Sequence, residues 1–332
     1  MVGENEVRQL INSQVALSIA RDTLVDQAAG NSRLSTPSAM SLDAKSLGGP
    51  RFKFKAATVG HLKASGIRLL ARFGGGTGDN ACNHIAIYDH EKGGALVGLV
   101  SELWLSRIRT AAFGVAGVEA LLPQRPLVIG LFGAGAIADE IVPVLSLAFA
   151  IKQLKVLSRR RERTAQFVAR HSGLLGNRIE VGLGAEQVAS GSDLVITLTE
   201  SREPLVQPGW LAPGAVLCSM GSHNEVAFGV LAEAERLVVD DADYASEMGD
   251  GGAWIRAGHF TRDAFNTQID GTACDYAAAF RRGIRSDGQK TIALIQGMSI
   301  GDVAFATHVI RNWKTALARP EQTDKAGNRR AS

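Results

Sequence analysis

Gly133-Ala134-Gly135-Ala136-Ile137-Ala138 follows the apolar run Leu127-Val128-Ile129-Gly130-Leu131-Phe132. No other stretch constrains the fold as strongly. The run predicts a buried strand, the glycines a tight turn, and the residues from about Ile137 a helix. That is the order a dinucleotide site needs. Gly133 permits the turn, and Gly135 lets a pyrophosphate approach the backbone through Ala134, Gly135, Ala136 and Ile137. Ala138, in the third glycine's place, keeps the helix close to the strand. The helix N-terminus offers unpaired N–H groups and a positive dipole end to phosphates.

Composition sets the outer bounds. The 332 residues are enough for two domains and a large core. With 45% apolar and 21% charged residues, the balance is that of a soluble globular protein. No apolar run approaches the roughly 18–20 residues of a membrane helix; the longest, Ile141 to Ile151, contains Pro143. The start has neither the basic end nor the apolar stretch of a signal peptide. Cys82, Cys218 and Cys274 stand alone without metal-ligand spacing, and no two histidines lie at i, i+4. Reduced thiols in a cytoplasmic protein without a structural metal are therefore expected. A net charge of +3, with no basic patch interleaved with aromatics, argues against nucleic acid.

Along the chain, Glu6 to Ala28 has helical spacing, and Gly30-Asn31-Ser32 ends it. Phe52–Lys55, Ile67–Phe73 and Ile85–Tyr88 read as strands. Gly74 to Asp79 reads as a flexible loop, and Asp89 to Gly94 as a hairpin turn between His84–Tyr88 and Ala95–Val100. The N-terminal part is thus a mainly antiparallel sheet with helices. A long helix follows from about Leu105 to Leu122. Strands at 127–132, 154–158, 179–182, 193–198, 215–219 and 236–240 then alternate with helices, the pattern of a doubly wound parallel sheet. Thr291 to Ile310 reads as helix, and the polar tail after Pro320 as frayed.

The end of the second strand of such a sheet meets the adenosine ribose. An acidic residue there binds the 2′-hydroxyl of NAD, whereas basic residues accept the 2′-phosphate of NADP. This chain carries Lys155-Val156-Leu157-Ser158-Arg159-Arg160-Arg161, with no carboxylate before Glu162. NADP(H) is favoured over NAD(H), with Ser158, Arg159 and Arg160 at the phosphate. Thr197, Leu198 and Thr199 close the fourth strand at the edge where ligands sit.

In Ser106-Arg107-Ile108-Arg109-Thr110-Ala111-Ala112, Arg109 is suited to holding a carboxylate bidentately, with small residues behind it for close helix packing. With Arg109-Thr110-Ala111-Ala112 and Gly133-Ala134-Gly135, further segments complete a pattern. They are Ser192 to Thr199, Pro204-Leu205, Trp210 to Gly214, Met220-Gly221, Glu225, Val238-Val239-Asp240, Thr291 to Gly297 and Asp302-Val303-Ala304. In order and spacing the chain resembles the ornithine cyclodeaminase/mu-crystallin family over nearly its full length.

The resemblance implies a Rossmann domain, residues 120–293, inserted into a substrate-binding and dimerisation domain formed by 1–119 and 294–332. It implies a homodimer and hydride transfer at the carbon–nitrogen centre of a small imino or amino acid. It places Arg109 on the substrate carboxylate, Thr110, Met220 and Gly221 at the cofactor, and Gln296 and Gly297 facing the nicotinamide. Arg68 stands where the family usually has lysine, and an arginine cannot lose its proton. Ala39 stands where a second carboxylate-binding arginine is expected; either Lys53, Lys55 or Arg33 compensates, or the substrate differs. Family cyclodeaminases carry an aspartate after the glycines that follow the Val216–Met220 strand. Here Ser222 or His223 takes that position. A histidine there has a suitable range for protonating an imine nitrogen, while Glu225 reads as a helix N-terminal carboxylate.

These readings favour an NADP(H)-dependent imine reductase or amino-acid dehydrogenase. A cyclodeaminase that converts ornithine to proline and ammonia while recycling NAD is the second reading, and a non-catalytic NADPH-binding protein the third.

Overall fold

The computed structural model describes residues 1–72, 83–285 and 288–317. The Gly74–Asp79 loop, Phe73, Cys82 and the tail after Pro320 lie outside them. Helices α1 (Glu4–Leu10) and α2 (Ser13–Ala28) precede an antiparallel sheet of β1 (Arg33–Leu34), β2 (Met40–Asp43), β3 (Arg51–Val59), β4 (Ala64–Arg72), β5 (His84–Asp89) and β6 (Ala95–Ser101). The long helix α3 (Leu103–Val118) leads to the second sheet. Its strands are β7 (Leu127–Phe132), β8 (Ile151–Leu157), β9 (Ile179–Val181), β10 (Leu194–Thr197), β11 (Val216–Ser219), β12 (Arg236–Val239), β13 (Gly271–Thr272) and β14 (Thr291–Leu294). The helices of this half are α4 (Ala136–Ala148), α5 (Arg161–Leu175), α6 (Ala185–Ala189), α7 (Ala242–Ala245), α8 (Gly249–Arg256), α9 (Arg262–Asn266) and α10 (Ala273–Arg281). Helix α11 (Ser299–Leu317) returns to the first sheet, packing on β3, β4 and β5.

The second sheet is parallel throughout, in the order β13-β12-β14-β11-β10-β7-β8-β9. Covered on both faces, its central strands must be apolar on both sides. All four residues of β10, of β11 and of β14 are buried. One core cluster joins Leu131, Ile129 and Cys218 to Phe113 and Phe305; a second, with Phe132, Leu217, Trp254 and Phe265, covers the opposite face.

Three expectations are corrected. The helix expected from Glu6 is two helices, because Asn12 stands extended between them and its side chain accepts from Val15 N at 2.9 Å. The helix expected to reach Leu122 gives way to a 3-10 turn at Glu119–Leu121. Thr291–Leu294 is not helical: it is strand β14, hydrogen-bonded between β11 and β12. A short apolar run carries no period that separates a buried strand from a buried helix; here the open slot between two strands decided it. Among the described residues, no helix is long and apolar enough to cross a membrane. Cys218 and Cys274 are buried free thiols.

Candidate active site

The glycine turn joins β7 to α4. Gly133 has φ +120°, a conformation open to glycine, and a Cβ there would lie 2.5 Å from the Leu198 carbonyl oxygen. Gly135 precedes the first turn of α4, whose N–H groups have no side-chain cap, and a Cβ on it would meet nothing within 4 Å. Ala138 is fully buried against the sheet. Open space over Gly135 and uncapped N–H groups at Ala136 and Ile137 fit a pyrophosphate. At the end of β8, Ser158 bonds Thr164 Oγ1 at 2.8 Å, while the Arg159 and Arg160 side chains are exposed and without an acidic partner among the described residues. Across the sheet, the buried Gln296 Nε2 has no hydrogen-bond partner. An unpaired buried amide is costly, and its place in the loop after β14 suits a carboxamide such as that of nicotinamide. These residues fit a dinucleotide.

A charged centre lies where α3, α11 and the antiparallel sheet meet. Arg109, on α3, is 4% exposed and places its Nε 2.6 Å from Asp302 Oδ1 in the first turn of α11. The two terminal nitrogens of its fork have no acceptor among the described residues. Gly297 makes room for that fork: its φ is +88°, and a Cβ there would stand 2.4 Å from Arg109 Nη1. Asp240, at the end of β12, holds the same loop by accepting from Gly297 N at 2.5 Å. Arg68 ion-pairs with Glu102, lies 3.5 Å from Asp302 Oδ2 and donates to Ser106 Oγ at 3.1 Å. Burial opposes the charge on Asp302, but Arg109, Arg68 and Lys55 outweigh it and hold the carboxyl below its usual range.

Lys55 stands directly across from Arg68 on the neighbouring strand. Its Nζ donates to the Gly297 carbonyl at 2.6 Å and sits 3.7 Å from the centre of the Tyr244 ring. Burial first, then Arg109, Arg68 and Lys53, lower its pKa to about 7 against the pull of Asp302. Lys53 donates to Tyr244 Oη at 2.5 Å. Ser38, beside Ala39, donates to Asp241 Oδ2 at 2.6 Å, so this segment abuts the end of β12. Of the three compensators proposed for Ala39, Lys53 and Lys55 reach the centre. Arg33 does not: its guanidinium is spent on the Gly30 and Ser32 carbonyls.

The loop after β11 carries Met220, Gly221, Ser222 and His223. Met220 packs on Gly114 of α3. Ser222 is exposed and His223 half-buried, neither with a hydrogen-bond partner in the described residues. Glu225 is not at a helix N-terminus. It is buried in this loop, accepts from Thr199 N at 2.6 Å and from Thr199 Oγ1, and so ties the ends of β10 and β11 together. Beneath it Asp250 accepts from Ser219 Oγ at 2.5 Å and from the backbone N–H of Glu225 and Val226. Burial, with Asp250 nearby, pushes Glu225 up to about 7. The folded state therefore holds this proton more tightly than the unfolded chain. Its stabilising contribution is complete below the ordinary glutamate range and is lost as pH rises towards and past 7. Glu225→Gln is expected to flatten the fall in melting temperature between pH 5 and pH 8; melting curves that stay parallel to the parent's across that window contradict this.

The structure thus brings Arg68, Arg109 and Gln296-Gly297 together, and places Thr197, Leu198 and Thr199 beside Gly133 at the edge of the parallel sheet. Thr110 follows Arg109, half-buried. Glu102 and Tyr244 were not singled out in the sequence, and Asp302 appeared there only inside a motif. Carboxylates at helix starts usually face solvent, and only burial marks Glu102 and Asp302 as different.

A sequence profile described as the ornithine cyclodeaminase/mu-crystallin family matches residues 5–316. The chain is 27% identical to an uncharacterized cyclodeaminase of Sinorhizobium fredii, over 63% of this chain and 63% of that relative's length. It is 25% identical to the alanine dehydrogenase of Archaeoglobus fulgidus, over 69% of this chain and 70% of that one. The Δ1-pyrroline-2-carboxylate reductase of Thermococcus litoralis, solved with NADH and L-proline, superposes with a TM-score of 0.81 at 17% identity, covering 95% of this chain and 97% of that one. That likeness concerns the fold.

Proposed function

The chain belongs to the ornithine cyclodeaminase/mu-crystallin family, and on that premise we propose that it is an NADP(H)-dependent imino-acid reductase or amino-acid dehydrogenase. One observation carries the reading: the buried Arg109 fork, held by Asp302, keeps two unpartnered terminal nitrogens against the Gly297 loop. A guanidinium so placed is a bidentate clamp for a carboxylate. A bound nicotinamide supplies or accepts the hydride. The protein's part is to orient the substrate and to move one proton at the nitrogen. Arg68 cannot give that proton up. Lys55 can: its ammonium lies at the Gly297 carbonyl, and burial with the neighbouring cations lowers its pKa to about 7; His223 is the second candidate, and an unchanged pH profile in His223→Ala removes it.

The test follows reduced-cofactor absorbance with a panel of cyclic and acyclic imino acids, and separately looks for proline and ammonia from ornithine and NAD. Imine-dependent oxidation of NADPH is expected. Proline formation at a good rate, or cofactor binding without turnover of any substrate, overturns the reading.

The NADP preference rests on Ser158, Arg159 and Arg160. Arg159→Ala is expected to raise KM for NADPH about tenfold, the worth of one charge-assisted hydrogen bond, and to leave NADH nearly unaffected. An equal loss with both cofactors refutes the assignment. The outer face of the antiparallel sheet, with Met40, Leu42, Ile67 and Leu99 exposed, supports a homodimer. Light scattering that returns the mass of one chain excludes it.

A further inference from the structure

Residues two apart on a strand share a face, and so do residues directly paired across strands. Arg51, Lys53 and Lys55 therefore lie in one row on β3, with Arg72 opposite Arg51 and Arg68 opposite Lys55 on β4. The row begins at Arg51 and Arg72, which are exposed, and ends at Lys55 and Arg68, which are buried beside Arg109. Like charges set directly across an antiparallel pair repel one another. This chain pairs them twice.

The acidic groups are unevenly placed along the row: at the outer end only Asp43, on β2, lies directly across from Arg51. Glu102 and Asp302 serve Arg68 and Arg109 at the inner end. Asp240 faces the Gly297 loop, and Asp241 takes Ser38. Arg51, Lys53 and Arg72 have no ion pair among the described residues. Lys53 is bonded to a neutral phenol. After burial, the groups that lower its pKa are Arg68, Arg51, Arg72 and Arg109, all cations, and together they bring it to about 8. A half-buried ammonium among cations gains most from an anion, and one substrate carboxylate on Arg109 leaves Lys53 unanswered.

We infer that the substrate is a dicarboxylic imino or amino acid, its first carboxylate on the Arg109 fork and its second further along the row at Lys53. Arg51 and Arg72 form the cationic mouth through which it enters. Lys53 lies one step outward from Lys55 on the same face of β3, so a second carboxylate bound at Lys53 extends from Arg109 towards the mouth of the row. The inference rests on the reductase reading for its chemistry, but the charge row can be tested without turnover.

Binding is read first, with glutarate and butyrate as unreactive probes, by calorimetry on the full chain. Glutarate is expected to bind at least about tenfold more tightly than butyrate, the worth of an added charged hydrogen bond. Lys53→Met should erase that margin and Lys53→Arg keep it. Turnover is read second, as the ratio of kcat/KM for the imines that methylamine forms with 2-oxoglutarate and with 2-oxopentanoate. The ratio should favour the diacid and fall about tenfold in Lys53→Met. A ratio unchanged in Lys53→Met, or equal binding of the two probes, overturns the inference while leaving reduction of monoacid imines to support the reductase reading. If no imine is reduced but glutarate is still preferred through Lys53, the reductase reading fails and the anion row stands as a diacid-binding surface.

Discussion

Arg109→Lys lowers kcat/KM for imino-acid reduction by about a hundredfold or more, with the fold intact. The expectation follows from the shape of the group. Arginine offers a planar fork whose Nε is committed to Asp302 while two terminal nitrogens remain for a carboxylate. Lysine keeps the charge, so Asp302 is not left bare, but a single ammonium cannot serve both partners in that geometry. Loss of one charged, desolvated contact of this kind is worth about 1.5–3 kcal/mol, and misplacing the reacting carbon adds to it. Arg109→Ala is a harsher change. It leaves the buried Asp302 carboxylate to Arg68 and Lys55 alone, and loss of its shortest charged contact costs about 1.5–3 kcal/mol in stability. The two variants together separate catalysis from folding: steady-state rates and thermal melts should show Arg109→Lys failing in the first only. Full activity in Arg109→Lys would remove the clamp from the mechanism.

The glycine turn makes the second large prediction, through a contrast between two neighbours. Gly133→Ala forces a Cβ to within 2.5 Å of the Leu198 carbonyl at a φ of +120°. Backbone strain of this type costs about 1–3 kcal/mol before any relaxation of the clash. The variant should melt earlier and bind NADPH about a hundredfold more weakly, once the displaced turn and the lost N–H contacts are both counted. Gly135→Ala adds its methyl to space that no protein atom occupies. Its melting temperature should match the parent, while its affinity for NADPH falls, because that space is where the pyrophosphate belongs. Energy transfer from tryptophan to bound NADPH reads both affinities. If Gly135→Ala binds the cofactor as tightly as the parent, the phosphates do not sit over this turn.

How legible these parts were in the sequence varied with the range of the forces that make them. The β7–turn–α4 unit is contiguous, so its apolar run, glycines and helix start stand side by side in the chain. The hairpin at Asp89–Gly94 was legible for the same reason. β14 was not: Thr291–Leu294 is too short to show a period, and its identity depends on β11 and β12 leaving a gap for it. Glu225 was visible as a residue but misread, because its partner Thr199 lies 26 positions away in the loop after β10.

The sequence by itself determined the family, the dinucleotide turn, the basic end of the second strand and the presence of Arg109 and Arg68, since each is a local pattern or a matched motif. It also named Lys53 and Lys55 as compensators for Ala39. Only the tertiary structure decided that these two lysines stand in a row with Arg51, Arg68 and Arg72, that Asp302 and Glu102 lie at its inner end, and that Arg33 is spent elsewhere. The physical reason is that strand pairing and helix docking set which charges face one another across a buried space. Charge and burial act through space, and neither distance along the chain nor residue type reports them.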